Sequence, residues 1–583
     1  MEDSAVAHRA GCRTGRFGAR RAGAVGLVSV IAMAAGAKAQ CPIEKLTSPT
    51  QSGGDLFGRS LAGDDDELVV GARYSVTVYS LDDKGTSLDV MDDEWVLQAH
   101  LLSQDPALGD GFGAAVWLDG DHLIVGAPEA GGPFGGPGAA HVFGRSGPAS
   151  QRGPAADGWF EQSELAGLSG FGFGAAFGAA VGVSGIRAAV GAPGEQLPAQ
   201  FTASGVVHVF RLDDNGTPLV PEDDTWPAEA VFASGDPSYS AFGSAVQLTG
   251  DRLLVGAPGL AWQPAVGVVF DFRLDDGGTP TDPADDSWIE HAKISAPTPA
   301  PPKLFGRSLQ LDGNRLLVGA GGASYLFRLD DGGTPTDPAD DFWVDDGTLV
   351  GDDSAPIDNF GHAVALEGVR ALVGAPAKSE GDSSGAVYLF IEAPPAAGGA
   401  PATWTQALKL TAQESGATNF GAEVRVHGPR AFVGETGSFP FASADSANSD
   451  TGAVRSYGLA EGPWSFVSAA LAGTGAPPCL MAAGSLQADS ATSLKLEQAV
   501  ANAASALVIG SSGLFAPFKG GVLVPLPESV VWLTTDSDGD LALSARWPIG
   551  VGSGTEVIIQ AWTIDGQAPK GLSASNAIWG VVP

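Results

Sequence analysis

The chain has 583 residues, 44% of them hydrophobic, with 83 Gly, 40 Pro and a formal net charge of −36 from 31 Lys plus Arg against 67 Asp plus Glu. That apolar fraction excludes global disorder, the abundance of turn-formers excludes a helical protein, and the absence of a Gly-X-Y period excludes collagen. So acidic a surface repels phosphate backbones and anionic lipid, which excludes nucleic acid and membrane docking and leaves an acidic, turn-rich, all-β protein.

Residues 9–21 carry Arg9, Arg13, Arg16, Arg20 and Arg21; an apolar run from Ala22 to Ala37 follows, then Ala37-Lys38-Ala39 before Gln40. This is the design of a cleaved secretory signal peptide over residues 1–39, and the apolar run is short of the ~20 residues that span a bilayer. The expected location is therefore secreted or cell-surface/periplasmic. Cleavage removes six basic and two acidic residues, so the charge becomes −40, and it removes Cys12, leaving Cys41 and Cys479. Two cysteines in an exported protein favour one disulfide over a metal site or a nucleophile.

The middle of the chain is one unit repeated seven times. A Phe-Gly pair recurs at Phe57, Phe112, Phe177, Phe242, Phe305, Phe360 and Phe420. Fourteen residues after each Phe stands a Gly: Gly71, Gly126, Gly191, Gly256, Gly319, Gly374 and Gly434. Each copy then runs to a Trp: Trp95, Trp159, Trp226, Trp288, Trp343, Trp404 and Trp464. Each unit reads as four short strands, for example 242–248, then the DRLLVGA segment, 267–274 and 287–295, with a tight turn at Thr249-Gly250 between the first two. A four-stranded sheet leaves edges bare, and seven arranged radially bury them, which is the propeller solution.

These units resemble FG-GAP repeats, the blades of the integrin α-type β-propeller and of many bacterial secreted proteins. The resemblance covers about residues 42–472 and implies a seven-bladed propeller, over 40–472, that binds protein or matrix ligands. Integrin-type blades also carry calcium in an Asp-rich loop between the Phe-Gly and Gly-Ala-Pro strands. Here that loop is cut to turns such as Asp119-Gly120-Asp121, too short to supply six to eight oxygens. Only the first copy, with Asp64, Asp65, Asp66 and Glu67, gathers enough carboxylates to keep the question open; no cofactor is required, and calcium is not favoured.

The segment 42–48 resembles a fourth strand, and with the strand at Trp464 it makes eight candidates for seven places. The surplus strand is expected beside the last blade, latching first to last, with a Cys41–Cys479 disulfide stapling the seam. On a chain-entropy model so long a loop is worth about 5 kcal/mol.

Four copies share a hairpin in which two Asp pairs stand ten residues apart, including Asp213/Asp214 with Asp223/Asp224 and Asp275/Asp276 with Asp285/Asp286. Facing carboxylates could call for a divalent cation; the favoured expectation is a solvated, Asp-capped turn at the outer rim. The histidines stand singly, without a metal-ligand spacing. Gly381-Asp382-Ser383-Ser384-Gly385 matches a nucleophile elbow by letter only, because it sits in a loop before a strand. At the start of the innermost strands, where Ala and Ser prevail, Arg59, Arg307, His362 and Glu423 are candidates for a polar ligand site at the channel mouth.

Residues 473–583 lack the repeat and read as a small C-terminal β-sandwich, resembling C-terminal modules of secreted bacterial proteins. Its Asp536-Ser537-Asp538-Gly539-Asp540 resembles the start of a calcium loop, but no Glu follows at the needed distance and a hairpin turn is expected. The function expected from all this is an exported, non-enzymatic binding or adhesion protein, a monomer holding extracellular protein or glycan ligands on a propeller face. The alternatives are a secreted hydrolase or lyase working at the channel mouth, and a structural envelope protein.

Overall fold

The computed structural model describes residues 44–582 apart from connecting loops, the longest of them 85–92, 146–157, 394–402 and 438–450. Residues 1–39, where a signal peptide is expected, and Cys41 lie outside the described residues. The fold is all-β, built largely from four-stranded antiparallel sheets of the propeller-blade type. Six four-stranded units follow one another along the chain, over 60–102, 115–165, 180–233, 245–294, 308–349 and 364–411, each pairing its strands in sequence order, and one parallel pair, Gly385 with Phe420, joins the sixth to the seventh in a continuous eight-stranded sheet. The fourth illustrates them: Ala245–Thr249, Arg252–Ala257, Val268–Asp275 and Ser287–Ile294.

The seventh sheet takes three strands from the end of the repeats, Phe420–His427, Arg430–Glu435 and Ala453–Gly458. Its fourth is Glu44–Thr47, which pairs antiparallel with Ala453–Gly458 in the register Leu46 to Val454. The strand at Trp464 does not take this place. Trp464–Val467 pairs instead with Leu572–Val581 in the C-terminal sheet. Two candidates competed for one edge, and the N-terminal one won. The C-terminal strands thus begin at Trp464, earlier than the boundary expected at 472.

Every sheet is keyed to the one before it by its Phe-Gly pair. All seven Phe rings are buried. The Phe57 N–H donates to Thr451 C=O (3.1 Å) and the Phe177 N–H to Pro137 C=O (3.0 Å), each a backbone bond to the preceding sheet's side of the seam. Within its own sheet the second residue of the pair donates to the Gly fourteen after the Phe, as Gly243 N–H to Gly256 C=O at 3.0 Å. Its own carbonyl then lies against the preceding sheet's corresponding Gly. A Cβ on Gly191 would stand 2.0 Å from the Gly243 oxygen, one on Gly256 2.0 Å from Gly306, and one on Gly434 2.1 Å from Gly58. Since the last of these joins the seventh sheet to the first, the seven sheets close in a cycle.

Apolar clusters fill the same seams. Val207 and Val209 of the third sheet pack with Phe242, Leu253 and Phe270 of the fourth. Leu46, Phe432 and Val454 of the seventh pack with Phe57, Val70 and Trp95 of the first. Large apolar area buried between sheets, rather than within one, is why no sheet is stable alone. The residue before each Phe is left-handed, with φ between 54° and 63° at Leu56, Ala176, Ala241, Leu304, Asn359 and Asn419 and 72° at Gly111, so the repeat carries this strain in every copy.

The C-terminal strands form a five-stranded and a three-stranded sheet beside a two-stranded ribbon. Leu480 and Leu496 of the smaller sheet share one apolar cluster with Leu507, Ile559 and Ile578 of the larger. The 536–540 segment is a turn in which Asp536 accepts the Asp538 and Asp540 N–H groups at 2.9 Å. It joins strands of two different sheets, Ser529–Thr534 and Leu541–Arg546, so the expected hairpin is not formed.

Gly256→Ala is expected to cost about 3 kcal/mol or abolish folding, because its Cβ meets rigid backbone. Gly250→Ala, at an open turn with φ of 58° and nothing within 4 Å, is expected to cost about 1 kcal/mol. Thermal or urea unfolding of the two variants checks the contrast.

Candidate ligand-binding site

The first strands line the centre of the cycle, and the neighbouring sheets set which side chains they tolerate. Three residues after each Phe stand Ser60, Ala115, Ala180, Ala245, Ser308 and Ala363, with Glu423 in the seventh sheet. Small residues fit because this position faces the next sheet's Phe-Gly backbone: Ser60 Oγ donates to Gly113 C=O at 2.8 Å and Ser308 Oγ to Gly361 C=O at 3.1 Å. Glu423 breaks the pattern. Its side chain makes no hydrogen bond among the described residues, and burial raises its pKa to about 8, against an opposing pull from Arg425.

The four sequence-predicted residues do not form one constellation. Arg307 and His362, on adjacent sheets, meet directly: Arg307 Nη2 donates to His362 Nδ1 at 2.5 Å. Burial, reinforced by the Arg307 charge, lowers the His362 pKa to about 4, so the imidazole is neutral. Arg59 lies by the first and second sheets, in the field of Glu129, Arg73 and Tyr74, with its pKa lowered chiefly by burial. Glu423 is separate, close to Arg425.

Arg425 and Trp117 are the inner-ring residues that sequence reasoning missed. The Arg425 guanidinium sits 5.1 Å from the Trp117 ring centre, and Nη2 reaches Gly63 C=O at 3.4 Å. The seventh sheet thereby touches the second across the first, where Ala62 is small and buried. The signal was present: Trp117 is a Trp outside the repeat spacing, and Arg425 lies two residues after Glu423, on the same strand face. At the turn end of these strands a cavity of about 220 Å³ is lined by Gln310, Asp312, Glu367, Arg425 and His427, among others. Its two carboxylates are oriented by neighbouring turns, Asp312 accepting the Gly368 N–H (2.6 Å) and Glu367 the Gly428 N–H (3.1 Å).

The acidic hairpins are Asp-capped turns, as expected, but their last Asp residues are not solvated. The Asp pairs do not face each other, since Asp275 pairs with Ser287 and Asp213 with Thr225. The first pair caps the turn, with Asp213 accepting the Asn215 N–H and Asp214 the Gly216 N–H. Thr217 bridges to Asp223, and Thr334 to Asp340, by hydroxyl donation. The last Asp of each hairpin reaches the preceding sheet: Asp286 receives Arg187 at 2.5 Å, Asp341 receives Arg273 at 2.6 Å, Asp224 receives the Gln162 amide at 3.0 Å, and Asp93 pairs with Arg430. These last Asp side chains are inter-sheet ties rather than solvated rim charges. They join the first, third, fourth and fifth sheets to their predecessors.

The fourth sheet's hairpin shows how the candidate cation ligands are dispersed. Asp275 accepts the Gly277 N–H at 3.1 Å, Asp276 is half-buried at the entry to the turn, Asp285 is exposed with its carboxylate against Gly277, and Asp286 leaves the turn for Arg187. The expectation that Asp275 and Asp276 confront Asp285 and Asp286, as Asp213 and Asp214 would Asp223 and Asp224, is thus corrected: backbone N–H groups and arginines of the adjoining sheet answer these charges. In the first copy Asp64 and Asp66 are exposed, Asp65 lies outside the described residues, and Glu67 is paired with Arg145. No group of three His, Cys, Asp or Glu side chains converges among the described residues.

His141 and His208 pack edge-on against the repeat Phe rings, at 5.3 Å from Phe112 and 5.2 Å from Phe177. The Ser384 hydroxyl accepts the Asn419 N–H at 3.1 Å within a strand hairpin, in no nucleophile elbow.

The FG-GAP repeat family profile matches residues 95–143 and 343–390. Each match begins on a repeat Trp and ends in the third strand of the next sheet, so the sequence unit is offset by one strand from the structural one. The chain therefore carries FG-GAP repeats, on sheets of the β-propeller type. No curated protein matches it. Among solved structures, Kluyveromyces lactis Hsv2 with its complete loop 6CD is similar over 60% of this chain and 98% of that one, at 10% identity and a TM-score of 0.33.

Asp341→Ala is expected to cost about 3 kcal/mol, since it leaves Arg273 half-buried without its partner, whereas Asp331→Ala, at the exposed turn, is expected to cost under about 1 kcal/mol; urea unfolding measures both. For Glu423 the folded pKa lies above the ordinary 4.5. The folded state therefore holds a proton the unfolded chain has released, and stability falls as pH rises from about 4.5 to about 8. Glu423→Gln should match the natural chain at pH 4 and exceed it by on the order of 2 kcal/mol at pH 9; parallel stability curves would count against this.

Proposed function

We propose that this is an exported, non-enzymatic binding protein that uses the propeller as a rigid platform for an extracellular protein or glycan. The observation that carries the reading is where the sevenfold pattern is kept and where it is broken. The Phe-Gly pairs, the paired glycines and the hairpin Asp residues are engaged in holding sheets together. The breaks fall on the inner strands, at Arg59, Arg307, His362, Glu423, Arg425 and Trp117, which lack a shared structural task. Variation concentrated at one place on a repetitive scaffold is the pattern of a recognition surface.

Export rests on the signal-peptide pattern of residues 1–39. The Cys41–Cys479 staple is part of the same proposal. It is supported by the burial of Cys479 and by the place of Cys41 in the sequence, three residues before the strand that completes the seventh sheet.

Incubating the mature chain with a glycan and protein array, with product analysis, tests the function. Saturable capture without turnover is expected, and product release would establish the hydrolase or lyase alternative instead. Peptide mass mapping without reduction is expected to recover Cys41 linked to Cys479; two free thiols would remove the staple.

A further inference from the structure

Eleven described arginines lie within 4.0 Å of a carboxylate. In a chain with 67 acidic residues against 31 basic ones this is the ordinary fate of an arginine. Arg59, Arg307 and Arg425 have no such partner among the described residues. All three stand on the first strands of their sheets or immediately before them, and all three are partly buried. Arg59 still feels Glu129, and Arg425 feels Glu423, Glu367 and Asp64, whereas no acid among the described residues acts on Arg307.

The Arg307–His362 pair shows what this charge is shaped for. The Nδ1 of His362 accepts from the guanidinium at 2.5 Å, which fixes the tautomer with hydrogen on Nε2. Nε2 has no partner among the described residues, nor do the remaining guanidinium N–H groups. Two adjacent sheets therefore offer a charged fork and a neutral N–H donor side by side, with no acceptor supplied by the described residues. Guanidinium donors of this kind match a planar carboxylate or a sulfate, with charge-assisted bonds that strengthen where water is partly excluded.

We propose that Arg307 and His362 form a clamp for an oxyanion, the carboxylate or sulfate of a small extracellular ligand, at the Phe-Gly end of the inner strands. Arg59 holds the equivalent position of the first sheet, in the field of Glu129. The inference rests on the binding reading above and names the chemistry of its ligand.

Calorimetric titration of the mature full chain with glucuronate, glucose 6-sulfate and glucose, at one ionic strength, tests it. At least one of the two anions is expected to bind about tenfold or more tightly than glucose, and their order identifies the preferred oxyanion. Arg307→Gln is expected to lose about tenfold in affinity, Arg307→Lys to retain part of it, and Arg328→Gln, whose guanidinium pairs with Asp330 at a half-exposed site, to leave it unchanged. Melting curves verify that each variant is folded, and Arg307→Lys serves if Arg307→Gln is not. Failure of both anions to exceed glucose, or undiminished binding by folded Arg307→Gln, overturns the clamp. If the array meanwhile captures neutral or cationic ligands, the binding reading stands and the oxyanion proposal alone falls.

Discussion

A carbonyl oxygen laid against an α-carbon sets the geometry of every seam. In each one the Phe-Gly glycine presents its C=O to the glycine of the preceding sheet, at a spacing no Cβ could share. In the first six sheets the same Phe-Gly glycine gives its N–H to the equivalent glycine of its own sheet. Two glycines per repeat, one at positive φ and one in extended backbone, are therefore fixed together. The fourteen-residue interval is the length of chain needed to go up one strand, turn and return to the level where the two meet. Side-chain burial then adds the bulk of the stabilisation, but it is this backbone approach that sets the distance at which neighbouring rings can pack.

Closure follows from the same rule. Seven sheets keyed each to its predecessor leave one outstanding key and one outstanding edge. Gly58 against Gly434 supplies the key, and Glu44–Thr47 beside Ala453–Gly458 covers the edge. The sequence unit starts one strand before the structural unit, so the ends of the repeat region must exchange a strand to complete the last sheet. Buried ion pairs reinforce the seams near the opposite side of the sheets. Their net worth is modest once desolvation is counted, yet their geometry discriminates between correct and shifted partners.

Much of this is legible in the amino-acid sequence. Phe57 to Gly71 and its six counterparts are spaced by backbone geometry, so the seven units and their strand order can be read from spacing alone, while spacing offers two candidates for the closing strand. Competition is not legible: Trp464 carries the repeat's last marker, but its strand finds a partner at Leu572–Val581, over 100 residues away. Pair identities are equally hidden. Asp286 looks like the end of an acidic turn, and only the placement of Arg187 on the sheet before it, 99 residues earlier, reveals its task. For the candidate site, the irregular residues Arg59, Arg307, His362 and Glu423 stand out against Ala and Ser. Their division into an Arg–His pair, a lone Arg and a buried acid depends on which sheets face one another, and spacing along the chain does not contain that.

Native-state hydrogen exchange at the Phe-Gly glycines reads the seam contact residue by residue. The amides of Gly58, Gly113, Gly178, Gly243, Gly306 and Gly361 are all expected to exchange at the slow rate of global unfolding, with Gly58 at the closing seam as protected as Gly243 in the middle of the cycle. Rapid exchange at these glycines, or at Gly58 alone, would be incompatible with a ring held shut by this backbone contact.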